Sequence, residues 1–86
     1  MANHRIVGIK VSDRIRNAGG VQNLFTEYGC NIKTRIGLHP VSGNFCSPNG
    51  LVILELIGDD AICQELVGKI KAIAGTEVQE MVFKMD

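Results

Sequence analysis

Residues 51–60 read "LVILELIGDD", and this stretch decides the fold. Six of its first seven residues are apolar and fall on both faces of a strand, the pattern of a central strand covered on two sides. Asp59 and Asp60 then suit the start of a helix, where a carboxylate answers free backbone N–H groups and the positive end of the helix dipole. Beyond them Ile62, Leu66, Ile70 and Ile73 recur at three- and four-residue steps, the buried stripe of a helix that Gly75 closes.

Outward from this strand–helix pair the remaining elements follow. In "RIVGIKV" Val7, Ile9 and Val11 face one way, and Ile6, Gly8 and Lys10 the other, which predicts a strand. Ser12 or Asp13 is placed to cap a helix whose apolar positions are Ala18, Val21, Leu24, Phe25 and Tyr28. Gly19 and Gly20 weaken that helix, which is expected if they allow close packing on the sheet; Gly29 supplies its stop. "CNIKTRIGL" sets Ile32, Thr34, Ile36 and Leu38 on one face of a half-exposed strand and Lys33 and Arg35 on the other, as solvated edge charges. "TEVQEMVFKM" alternates imperfectly and predicts a last strand with a bulge or an edge position.

The order is βαββαβ over a single domain, residues 1–86. Right-handed helical crossovers then give a four-stranded antiparallel sheet, ordered 4-1-3-2, with two helices on one face: the α+β ferredoxin-like architecture. That term carries no cluster here, because iron–sulfur ligation needs closely grouped cysteines.

The chain has 86 residues, of which 45% are apolar and 21% charged, values of an ordered globular domain with a thin core. Nine basic and nine acidic residues cancel, so no clustered positive field for nucleic acid is expected. No apolar run approaches the ~20 residues of a membrane span, and "MANHRIVGIK" lacks a signal-peptide layout. We therefore expect a cytoplasmic protein. The sheet face turned away from the helices should carry Ile6, Leu51, Ile53 and Ile57. An uncovered patch of that kind predicts a homodimer or a higher homo-oligomer.

Between the second and third strands lies "GLHPVSGNFCSPNG", residues 37–50, longer than the two to five residues a hairpin needs. Pro40 biases His39 to extended backbone, "SPNG" fits a type I turn, and "SGN" offers another. These turn-formers point to an ordered loop that docks a ligand or partner. Chain direction sets the loop at the same end of the sheet as Ser12, Asp13 and the start of the first helix. Ser12, Asp13, His39, Cys46 and Asn49 form the candidate surface. Cys30 and Cys63 fall at the opposite end, with Cys30 about 26 Å of strand from Leu38, and read as buried packing residues. Only His39 and Cys46 remain as a pair. They are half of a tetrahedral metal set that a symmetric dimer would complete, which would make the chain a metal- or redox-responsive binding protein using His39 and Cys46 across an oligomer interface, or else a surface histidine and a half-buried thiol. The sequence itself requires no cofactor. It shows neither a phosphate loop nor a nucleophile–base spacing, so a non-enzymatic role is expected.

"VQNLFTEYGCNIKTRIGLHPVSGNFCSPNGLVILELIGDD" resembles the iron-only hydrogenase system regulators, small ACT-like proteins of anaerobic bacteria. Its most distinctive parts are "YGCNIKTRIGLH" and "FCSPNGL", and the similarity extends over nearly the whole chain. The resemblance implies an ACT-like domain with a regulatory role, acting through a small effector or by docking on a partner. Amino-acid-binding ACT domains carry a glycine just before the first helix. Here the glycines fall later, at Gly19 and Gly20, so the resemblance does not bring an amino-acid ligand with it.

Overall fold

The computed structural model describes residues 3–12, 14–38, 41–42, 45–46 and 50–84. Strand β1 spans His4–Val11, helix α1 Arg14–Glu27 and strand β2 Ile32–Leu38; two short strands, β3 (Val41–Ser42) and β4 (Phe45–Cys46), precede β5 (Gly50–Leu56), helix α2 (Asp60–Lys71) and β6 (Thr76–Phe83). The main sheet runs β2-β5-β1-β6, all antiparallel, which is the order the βαββαβ pattern predicts. The fold is ferredoxin-like.

The core lies between the sheet and the two helices. Val7, Ile9 and Val11 of β1 and Leu54 and Leu56 of β5 meet Val21, Phe25 and Tyr28 from α1 and Cys63, Leu66, Val67 and Ile70 from α2. Strict alternation in β1 produces its half of this layer. In α2 the buried stripe begins at Cys63, one residue later than the apolar spacing suggested, and Ile62 is left exposed. Asp59 caps α2, its carboxylate accepting the Ala61 N–H at 2.7 Å, while Lys69 and Lys71 sit in the last turn, where the dipole favours cations. The helix stops at Lys71, earlier than Gly75. The Thr76 hydroxyl donates to the carbonyls of Ile70 and Ile73, both at 2.8 Å, and Gly75 makes the turn into β6 at φ 83°.

Two expectations about packing are corrected. A methyl group at Gly19 would touch nothing within 4 Å, and one at Gly20 would meet Ile73 Cδ1 at 3.5 Å, an ordinary contact, so neither glycine is required by close packing on the sheet. In β2 the faces do not follow simple alternation. Ile32 pairs with Leu56 and Thr34 with Glu55, so an extra residue, Lys33, bulges between them. Ile32 therefore packs on the core, whereas Thr34, Ile36 and Leu38 lie on the opposite face. Arg35, displaced to the helix side, is not a free edge charge: its guanidinium stacks 4.8 Å from the Phe25 ring centroid and donates to Gln22 at 2.8 Å. β6 is an edge strand, as expected, and its register against β1 runs without a bulge.

Candidate functional site

The loop and the start of α1 share one end of the sheet. Val11 stands opposite Gly50, so the chain leaves β1 towards Ser12 beside the root of the loop. Ser12 is exposed and its N–H donates to the Gly75 carbonyl at 2.7 Å, tying that corner to the turn before β6. The loop builds structure of its own: β3 pairs with β4, Val41 opposite Cys46 and Ser42 opposite Phe45. Asp13, His39 and Asn49, the bias at Pro40 and the "SPNG" turn lie outside the described residues, as does the Cys46 side chain. The proposed His39–Cys46 pair therefore stays an expectation. Among the described residues no three His, Cys, Asp or Glu side chains stand together as a metal site.

The thiols at the other end differ from one another. Cys63 is buried, with Sγ 3.5 Å from the Ile57 carbonyl, and burial pushes its thiol up despite the nearby Arg5 charge. Cys30 is exposed, in a single 3-10 turn over Gly29–Asn31 that joins α1 to β2. It does not pack in the core. The chain turns there because Asn31 reaches back to β5: its carbonyl takes the Ile57 N–H at 2.8 Å and its amide donates to the Ile57 carbonyl at 3.0 Å.

The register defines the sheet face away from the helices. Ile6 pairs with Met81, Gly8 with Ile53, Ile53 with Ile36, Leu51 with Leu38, and His4 with Phe83, all pointing the same way. Ile6, Leu51 and Ile53 thus sit where expected. Ile57 lies past the end of β5, exposed at the rim rather than on the sheet. Four further apolar side chains belong to this face: Ile36 is 49% exposed, Leu38 50%, Met81 56% and Phe83 54%. Beside Gly8, which contributes no side chain, the face dips into a depression of about 260 Å³ bordered by Lys10, Leu51 and Gln79.

A polar cluster closes one end of this face. Glu55 accepts from Thr34 Oγ1 at 2.7 Å and lies 2.9 Å from His4 Nε2, with Lys33 Nζ at 4.0 Å. The Thr34 and His4 hydrogen bonds, in that order, hold the Glu55 carboxyl below its usual range, with help from the Lys33 charge. A depression of about 340 Å³ opens here between His4, Lys33, Glu55 and Gly58.

On the helix side Arg5 is 5% exposed, a position that sequence reasoning did not single out. The signal was present, since Arg5 shares the parity of Val7, Ile9 and Val11. Its guanidinium pairs with Glu80 and lies 3.5 Å from Asp60, while Nε has no partner. Asn3 bonds both Asp60 oxygens and Lys71 lies 3.7 Å from Glu80, so β1, β6 and the start of α2 are joined by one charged network.

No family model matches the chain, and no curated protein matches it. Solved structures do. The uncharacterized protein TM1266 from Thermotoga maritima superposes with a TM-score of 0.80 at 27% identity, over 94% of this chain and 96% of that one. CPII from Thiomonas intermedia, a nitrogen regulatory PII-like protein bound to ADP, AMP and bicarbonate, has a TM-score of 0.55 at 10% identity over 98% and 96%. A formyltetrahydrofolate deformylase from Pseudomonas putida has a TM-score of 0.57 at 12% identity, and 91% of this chain spans 28% of it. At such identities the last two show the fold alone.

Proposed function

We propose that the chain is a non-enzymatic, cytoplasmic regulatory module of the iron-only hydrogenase system in anaerobic bacteria, working as a homo-oligomer that takes up a small effector or docks on a partner. The observation that carries this reading is the uncovered apolar face of Ile6, Ile36, Leu38, Ile53, Met81 and Phe83. Contiguous apolar surface of this extent marks an association surface on a soluble protein. A sheet stacked on such a face would bring each subunit's Glu55 cluster against its partner and bind the response of one subunit to that of another. The same fold in a nucleotide-bound PII-like protein supports a small effector. The loop at the Ser12 end, with its own hairpin, is the segment through which that effector or partner is met.

Two measurements test the reading. Sedimentation at micromolar concentration should give an oligomer, and Ile53→Glu should dissociate it or abolish folding. Ile36→Glu, at an exposed edge-strand position, should dissociate it with the fold kept. A wild-type protein that sediments only as a monomer removes the oligomeric reading. For the regulatory role, residues 40–48 are replaced by an Asn-Gly turn in an anaerobic host with iron-only hydrogenase. The shortened protein should remain folded and hydrogenase control should be lost; unchanged control refutes a role for the loop.

A further inference from the structure

We propose that His4 makes association through the open sheet face depend on pH: two copies stack while its imidazole is neutral and separate when it takes up a proton. This rests on the reading of that face as the surface between copies, and adds what controls it.

The charges on the face explain why a second copy fits there. At one end Lys10 stands opposite Glu77 in register; at the other Lys33 Nζ lies 4.0 Å from Glu55. Between these two balanced pairs the surface is apolar, carried by Ile6, Ile36, Ile53 and Met81. A second copy laid on the face therefore meets apolar groups like its own and covers no net charge. An acidic or basic partner finds no opposing field at either end. What opposes such a contact is a charge desolvated without a partner.

His4 is the group that upsets the balance. It lies on the face at the Glu55 end, 42% exposed, with its ring centroid 6.3 Å from that of Phe83 on β6. Its Nε2 is 2.9 Å from Glu55 Oε2 on β5, and Thr34 on β2 donates to the other oxygen of that carboxylate at 2.7 Å, which fixes it in place. Histidine changes charge within the range from about pH 5 to 8. Neutral, His4 completes a set of one cation and one anion. Protonated, it adds a second cation beside a carboxylate that Lys33 already balances. The Glu55 carboxyl, held below its usual range, stays charged across the same interval. Behind the sheet Arg5, Glu80 and Asp60 pair among themselves and do not answer the added charge. In a separate subunit water solvates the imidazolium. Under a second sheet, packed about 10 Å away, it loses that water, and the other copy carries the same excess. The proton must leave before the copies close, which fixes the sign: affinity is full above the histidine range and is lost as pH falls through it.

The chain has two histidines, so the test compares the wild type with His4→Gln, His4→Lys and His39→Asn. Sedimentation equilibrium reads the dissociation constant at about pH 7.5 and about pH 5.5, with circular dichroism confirming that each protein is folded at both. For the wild type the constant should rise about tenfold or more on acidification, and His39→Asn should behave alike. His4→Gln, which keeps an amide N–H for Glu55, should hold the tight value at both. His4→Lys, charged throughout, should associate weakly at both. A wild type that associates equally tightly at both pH values overturns the proposal and leaves the oligomer standing. So does a pH response that survives His4→Gln or vanishes with His39→Asn, or a His4→Lys protein that associates as tightly as His4→Gln. A wild type that is monomeric at both overturns the oligomeric reading and this proposal with it.

Discussion

Replacing Arg5 with methionine separates the two things this buried cation does. Its aliphatic stem fills space beside the start of α2, and its guanidinium neutralises Glu80 and Asp60. Methionine keeps most of the volume and removes the charge. Removing one partner of a fully buried ion pair costs about 3–5 kcal/mol, because the other is stranded. Here the stranded carboxylates are not fully buried: the side chains of Glu80 and Asp60 are 22% and 31% exposed. They also keep Lys71 and the Asn3 amide as neighbours. Against that, the unpartnered Nε goes too, which relieves a desolvated donor. The net cost should be about 2–3 kcal/mol, a fall of roughly 10–20 °C in Tm for a domain of this size. Adding Glu80→Met should recover about 1 kcal/mol or more, since a pair replaced as a whole by apolar groups is close to neutral. Urea unfolding followed by circular dichroism, run as a double-mutant cycle, reads both numbers. An Arg5→Met protein as stable as the wild type, or a double variant that loses the sum of the single losses, would refute the reasoning.

Gly19→Ala, with open space where its methyl would go, should raise stability by about 0.8–1 kcal/mol in the same urea assay. Maleimide should label Cys30 in the folded protein well before Cys63, with mass spectrometry of the peptides as the readout; early labelling of Cys63 would contradict the packing of α2. The depressed Glu55 carboxyl adds stability that is present above its unfolded value of 4.5 and is lost as pH falls through the lower folded value. Thr34→Val removes the largest cause of that depression, so a carbon-detected NMR titration should show Glu55 moving up and acid sensitivity in this window shrinking.

The sheet order and its helical cover were legible because they rest on two strong signals: a run apolar on both faces at 51–57 and clean alternation at Val7, Ile9 and Val11. Alternation fails wherever one residue is inserted, and Lys33 is such a place. Every assignment after it in β2 changes face, so Arg35 was read as a free edge charge although it lies on Phe25. Arg5 was missed for the opposite reason. Its parity was right, but a charged residue type was not expected inside a thin core. Cys30 was misplaced because burial by residue type took no account of the turn at Gly29–Asn31, which leaves the thiol on the surface. Of the candidate loop site, pattern alone placed Ser12 and the root of the loop at one end of the sheet, where they are found. The small β3–β4 hairpin inside the loop had no such signature, since a two-residue strand is too short to show a period.

The extra residue at Lys33 gives the start of β2 one residue more than the ladder needs. Residues added between Leu38 and Gly50 enlarge a loop and leave the ladder in phase. Loss of Lys33 would leave Ile32 opposite Leu56 and Thr34 opposite Glu55 and make the ladder regular, whereas one residue added between Arg35 and Ile36 would turn Ile36 and Leu38 from the apolar face towards the helices. Natural variation in chains of this kind should therefore show changes of length in the connection and at the bulge, and none between Arg35 and Leu38.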